Sequence, residues 1–229
     1  MELTARKKQI LKIVVESYID TAEPLGSKAI AERMPEKVSS ATVRNELSEL
    51  SDMGYLEQPH TSAGRIPSPL GYRLYVNELM EHKPISAEEA AQINDTLRQE
   101  LKGTDQVIAK TGQMVSSFVD YPTYAVADHT ADATVRHFMV DSKEQLPVPA
   151  DGRAMQILIG PENVNDALKE SSVVVASYDI GDGMRGLVGV VGPTRMDYAT
   201  VAARLSYFAE SLTRMFGKHE LPPKENEIQ

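Results

Sequence analysis

Ser39-Ser40-Ala41-Thr42-Val43-Arg44-Asn45-Glu46-Leu47-Ser48-Glu49-Leu50-Ser51-Asp52 decides how the first third of this chain folds and what it offers a partner. Ser39 or Ser40 suits a helix cap, and the apolar residues Val43, Leu47 and Leu50 recur at helical spacing. With Val43 at 0° and 100° per residue, Leu47 falls at about 40° and Leu50 at about −20°, which marks the buried face. Ala41, Asn45 and Ser48 fall on the opposite side, at about 160°, 200° and 140°, with Arg44 and Thr42 on the flanks. A helix whose outward face is small, amide-bearing and singly basic suits a DNA major groove. Asn pairs with adenine, Ala or Thr meets a thymine methyl, and Arg reaches guanine or phosphate. Glu46 leans toward the core by angle, which leaves Glu49 as the carboxylate that would meet DNA awkwardly.

Working outward, Thr4 caps a helix to about Asp20 with Ile10, Leu11, Val14, Val15 and Tyr18 on its inner side. Glu23-Pro24-Leu25-Gly26 breaks it, and Ser27 is expected to cap a short helix from Lys28 to Met34 before Pro35. On the other side, Tyr55–Gln58 and Arg65–Pro67 are strand-like around the turn-forming loop Pro59–Gly64, and Pro69 opens a helix toward Met80. Two short helices with a longer one ahead and a hairpin behind read as a winged helix-turn-helix. The expected DNA-facing residues are Ser39, Ser40, Ala41, Thr42, Arg44 and Asn45, the loop residues His60, Thr61, Ser62 and Arg65, and Lys28 and Arg6 for the backbone.

The chain has 229 residues and a formal charge of −9. Residues 1–80 hold 10 basic and 11 acidic side chains, whereas the remainder carries nearly all the excess acid. Nucleic acid therefore stays open for the first third and is improbable for the rest. With no cysteine there is no disulfide, thiolate metal site or thiol nucleophile, and a reducing, cytoplasmic setting is expected. No apolar run approaches the ~20 residues of a membrane span, and no signal peptide or membrane partner is expected.

The fold class expected is α+β, an N-terminal winged helix-turn-helix followed by an α/β domain. Its divisions are 1–82, a helical linker over 83–120, a dimerisation or regulatory domain over 121–217, and a flexible tail over 218–229. Ser86-Ala87-Glu88-Glu89 is a capping-box sequence that starts the linker helices. Strands are expected at Tyr124–Ala127, Val135–Val140, Met155–Ile159, Val173–Tyr178 and Leu187–Val191. A short helix is expected over Asn165–Glu170 and a long one over Asp197–Phe216. Val201, Leu205, Phe208 and Leu212 form an apolar stripe on that last helix, read as mainly core and as a candidate dimer surface.

Catalytic and cofactor signals are weak. Gly186-Leu187-Val188-Gly189 matches neither dinucleotide nor phosphate-loop spacing, and the five histidines show no metal-ligand pairing, so no catalytic residue, metal or cofactor is expected. Arg195 is read as pairing with Asp197 or a carbonyl rather than an anion. A ligand-sensing regulator, with a small molecule held among the apolar strands around Tyr124, Met155 and Tyr178, is the alternative function.

Longer runs resemble the HrcA family of bacterial heat-inducible transcription repressors. They include Glu23-Pro24-Leu25-Gly26-Ser27, the Ser39–Leu47 run, His60-Thr61-Ser62-Ala63-Gly64-Arg65-Ile66-Pro67, Gly71–Val76, Ile159–Asn163 and Gly189–Tyr198. The resemblance implies a repressor of chaperone operons (the groE and dnaK sets) that binds an inverted-repeat operator as a homodimer and is relieved on heat stress. It also implies that the second domain is an abbreviated GAF-like α/β domain, and that the active form depends on the GroEL chaperonin. The connector Asp141–Arg153 stands where the family carries a large central region with a subdomain that helps dimerisation.

Overall fold

The computed structural model describes residues 3–100, 107–119, 121–127, 154–181 and 184–216. The expected strand over 135–140, the connector 141–153 and the tail 218–229 lie outside these. The chain is mixed α and β and divides into two units. The first comprises residues 1–81 with 159–161 and 193–197, and the second comprises the rest.

In the first unit, α1 (Ala5–Thr21) starts where Thr4 Oγ1 accepts from the Lys7 amide at 3.3 Å. It ends at Ala22, whose left-handed backbone (φ 57°) lets its N–H reach the Tyr18 carbonyl. Ile10, Leu11, Val14 and Val15 are fully buried, as the helical spacing requires. The short helix α2 (Ser27–Arg33) begins one residue earlier than expected. Gly26 takes the cap position and no side chain caps it, so Ser27 enters the helix instead. The next helix, α3 (Ser40–Asp52), is capped by Ser39, whose Oγ accepts from the Thr42 amide at 3.0 Å. Strands β1 (Leu56–Glu57) and β2 (Ile66–Pro67) pair antiparallel, Leu56 opposite Pro67. A bridge between Leu25 and Arg65 extends the pairing to the turn before α2. Helix α4 (Pro69–Leu74), capped by Ser68, widens into a π-helical turn over Tyr75–Leu79.

Among the described residues of the second unit, four strands lie in the order β3 (Thr123–Ala127), β6 (Met184–Pro193), β5 (Ser171–Gly181), β4 (Met155–Ile159). Strands β3 and β6 are antiparallel with Tyr124 opposite Gly189. Alternation puts Val174, Ala176, Val188 and Val190 on one face. Tyr124, Val173, Val175 and Val191 line the other, where Leu168 joins them in an apolar cluster. Of the expected helix at 165–170 only a 3₁₀ turn, Asp166–Leu168, forms, capped by Asn165. Helix α7 (Tyr198–Phe216) packs along β5.

Helices α5 (Ala87–Glu100) and α6 (Val107–Phe118), read from the sequence as a linker, cluster with the sheet unit instead. Ile93 and Leu97 are fully buried, so α5 spends its apolar stripe on a core. The dimer stripe also needs correcting. Val201, Leu205, Phe208 and Leu212 are at most 3% exposed within a single chain, so as folded they have no surface to give a second copy. They are core because α7 covers an apolar sheet face that has no other use for them.

The capping box forms as spelled: Ser86 Oγ accepts from the Glu89 amide at 3.1 Å and the Glu89 carboxylate accepts from the Ser86 amide at 3.4 Å. Glu89 also accepts from Arg204 Nε and Nη2 at 3.1 and 2.7 Å, while Arg204 Nη1 donates to the Phe118 carbonyl at 2.8 Å. One guanidinium thus joins α5, the end of α6 and α7. Its bonds to Glu89, helped by the Ser86 amide, hold that carboxyl below its usual 4.5. A lowered folded-state value stabilises above the unfolded value and is lost as pH falls through the folded one. Wild type should therefore exceed Glu89→Gln in melting temperature at neutral pH, and the gap should close as pH drops below 4.5. A gap unchanged down to pH ~3 in a thermal-melt series would refute the pairing as its source.

Candidate nucleic-acid interface

Helix α3 turns outward the residues that the angular reading selects. Val43, Leu47 and Leu50 are buried, whereas Ser40, Ala41, Arg44, Asn45 and Ser48 are exposed. The amphipathic spacing alone causes this, because α1 and α2 occupy the apolar side. Ser39 is exposed but its hydroxyl is committed to the cap, where it also meets Thr42 Oγ1 at 2.9 Å. Thr42 is accordingly half-buried and bound to the cap, less available to a base than Asn45.

The β1–β2 loop stands beside that face. His60, Thr61 and Ser62 are exposed at its tip. The tip is held by Gln58, whose Nε2 donates to the Thr61 and Ala63 carbonyls at 2.9 and 3.1 Å. Arg65 is placed differently from a free phosphate contact. Its backbone bridges Leu25, its side chain is half-buried, and its Nε donates to Ser51 Oγ at 3.0 Å. The loop is thereby tied to the far end of α3. A hollow of about 330 Å³ lies between them, lined by Ser27, Arg44, Gln58, Thr61, Ser62 and Arg65. The site brings Arg44, the loop tip and Arg65 together. Lys28 on α2 is exposed but does not line this hollow.

Sequence reasoning missed the charges behind α3. Lys7 Nζ sits 2.8 Å from a carboxylate oxygen of both Glu46 and Glu49, and Arg6 Nη1 is 3.6 Å from Glu46. The two carboxylates push the Lys7 ammonium above its usual value, Glu46 contributing most. The signal was present: a glutamate leaning toward the core by angle needs a cation, and α1 opens with Arg6-Lys7-Lys8. Gln58 had no such signal, since a glutamine in a turn-rich loop carries no pattern of its own.

The two glycines of β6 are accounted for by aromatic rings. A Cβ on Gly189 would lie 2.1 Å from the Tyr124 ring, and one on Gly186 would lie 2.2 Å from the Tyr178 ring. They make room for buried tyrosines rather than phosphate. Arg195 Nη1 donates to the Ile19 carbonyl at 2.6 Å, as read from its context. No described helix is long and apolar enough to cross a membrane.

Fold and site together define a two-unit α+β protein whose first unit presents an exposed, polar helix flanked by a hairpin loop. Residues 134–202 match the family model described as HrcA protein C terminal domain. A heat-inducible transcription repressor HrcA of Desulforudis audaxviator is 43% identical over 181 residues, 79% of this chain and 51% of that protein. That of Carboxydothermus hydrogenoformans is 40% identical over 67% of this chain and 43% of its own length. Over these matches the chain spans about half the length of the curated relatives. The Desulforamulus reducens protein aligns over 93% of this chain and 97% of its own length at 27% identity. That alignment runs to 337 positions, so the relative carries residues this 229-residue chain lacks. A solved structure described as a hypothetical protein at 2.2 Å resolution superposes over 96% of this chain and 100% of its own, with TM-score 0.70 and 15% identity, a likeness of fold. Over these stretches the chain is similar to the HrcA repressors, and its residues 134–202 carry their C-terminal domain pattern.

Proposed function

We propose that this protein is a repressor of heat-shock chaperone genes, and that its first unit is a winged helix-turn-helix that lays α3 in the major groove of an inverted-repeat operator. The observation that carries the reading is the outward face of α3: Arg44, Asn45 and Ser48 exposed over buried Val43, Leu47 and Leu50, with the hairpin loop beside Arg44. Asn45 and Arg44 read base edges, Ala41 meets a thymine methyl, and the helix N-terminus with Ser40 and the loop residues His60, Thr61 and Ser62 sets the register on phosphate. Arg65 acts from behind, holding the loop against Ser51. The sheet unit is a GAF-like module that pairs two chains, which would match the two-fold symmetry of the operator. Its dimer contacts come from surfaces other than the buried α7 stripe. The relatives' names, heat-inducible transcription repressor, support the stress-linked output.

The test is a titration of a chaperone-promoter inverted-repeat duplex against a scrambled duplex at about 0.15 M salt, with and without chaperonin. Selective binding is expected. Arg44→Ala and Asn45→Ala should each cost ~1–3 kcal/mol on the operator and narrow the preference over the scrambled duplex. Asn45→Ala with affinity and preference both intact would remove the base-reading role.

A further inference from the structure

The pairing behind α3 has a consequence for how the helix is aimed. Lys7 is only 12% exposed and the partnered Glu46 14%, so the ammonium has little surface left for a phosphate. The ammonium lies 2.8 Å from an oxygen of each carboxylate, Glu46 and Glu49. Glu46 and Glu49 are three residues apart, on successive turns of α3, so one cation from α1 grips the helix at two heights. Arg6 takes the other oxygen of Glu46. Asn45 and Ser48 each precede one of these two anchors by a single residue in the same helix, so whatever turns the anchors turns them too. A helix turned by about 10° moves a side-chain tip, roughly 6 Å from the axis, by about 1 Å, enough to spoil a bidentate base contact.

We propose that Lys7 is a positioning residue for α3: through Glu46 and Glu49 it sets the helix's rotation, and thereby base selection, without itself touching DNA. This rests on the DNA-binding reading of the first unit. The rival role for Lys7 is one more backbone contact. A phosphate contact weakens binding to every duplex alike, whereas a positioning residue changes the preference among duplexes.

The experiment is the ratio of operator to scrambled-duplex affinity for the full chain. Lys7→Met should lower that ratio about fivefold or more, because misplaced base contacts are lost while phosphate contacts remain. Lys7→Arg should keep the ratio, and Lys28→Ala, an exposed cation on α2 outside this grip, should lower both affinities alike. Glu46→Gln gives an independent arm that does not depend on how Lys7→Met folds. It makes the protein less negative, which by charge alone strengthens binding to both duplexes, yet it should lower the ratio. Equal losses on both duplexes for Lys7→Met, or an intact ratio for Glu46→Gln, overturn the role of Lys7 and leave the DNA reading standing. A wild-type chain that prefers neither duplex removes that reading, and the role of Lys7 with it.

Discussion

Phe208→Ala should cost the sheet unit about 3–5 kcal/mol, the usual loss for deleting a fully buried aromatic ring. Phe208 is 1% exposed on the inner side of α7, and its ring lies 5.9 Å from that of Phe118, tilted by 56°. That offset geometry adds pairing energy beyond the area buried. Neighbouring Leu205 and Leu212 are fully buried as well, so no solvent-facing side chain can swing in to fill the gap. Denaturant unfolding followed by circular dichroism at two protein concentrations is the measurement. A core residue gives a loss independent of concentration. A residue at the interface of two copies instead leaves the protomer folded and shifts the midpoint with concentration. A loss under ~1 kcal/mol accompanied by a change in oligomeric mass would return Phe208 to the dimer surface.

Gly64→Ala should destabilise the first unit by at least ~1–3 kcal/mol and lower operator affinity more than tenfold. Its Cβ would stand 2.4 Å from the Leu25 carbonyl carbon, 2.5 Å from its oxygen and 2.8 Å from its nitrogen. These are backbone atoms, so no rotamer change relieves the clash. Leu25 is further held by two hydrogen bonds to Arg65, its N–H donating to the Arg65 carbonyl at 3.0 Å and its carbonyl accepting at 2.9 Å. Opening that bridge moves Arg65 off Ser51 and carries the loop tip away from α3. Gly26→Ala is the control, because a Cβ there meets nothing within 4 Å. Its effect should stay within about 1 kcal/mol. Gly64→Ala melting and binding like wild type would mean that the hairpin is not pinned to the turn before α2.

Much of the first unit was legible because its signals are local. Thr4 and Ser39 cap where cap residues should, Val43, Leu47 and Leu50 share a face, and Pro59–Gly64 separates two short strands. The boundary of α2 slipped by one residue because Gly26 and Ser27 compete for one cap. The exposed face of α3 follows from helical period alone, which is why Arg44, Asn45 and Ser48 could be named from the sequence. The fates of Arg65, Thr42 and Lys7 could not. Arg65 and Lys7 find partners, Ser51 and the Glu46–Glu49 pair, that are chosen by how elements meet, while Thr42 turns to the Ser39 hydroxyl of its own helix cap.

The same division holds for the sheet unit. Period and turn chemistry located β3, β4, β5, β6 and α7, and the capping box at Ser86 formed as written. An apolar stripe, however, states only that it will be buried, not by what. Val201, Leu205, Phe208 and Leu212 meet β5 of their own chain, and α5 and α6 join the same core instead of remaining a linker. Gly186 and Gly189 read as a loose motif until the rings of Tyr178 and Tyr124 are seen lying against them. The sequence by itself determined the elements, the outward face of α3 and the likeness to HrcA repressors, because periodicity, caps and long residue runs are properties of neighbours along the chain. Tertiary structure alone decided which charges are neutralised, which cations are free to meet a partner and which stripe is core. Those outcomes depend on residues such as Lys7 and Glu46, or Leu25 and Arg65, that are far apart in the chain and meet only when it folds.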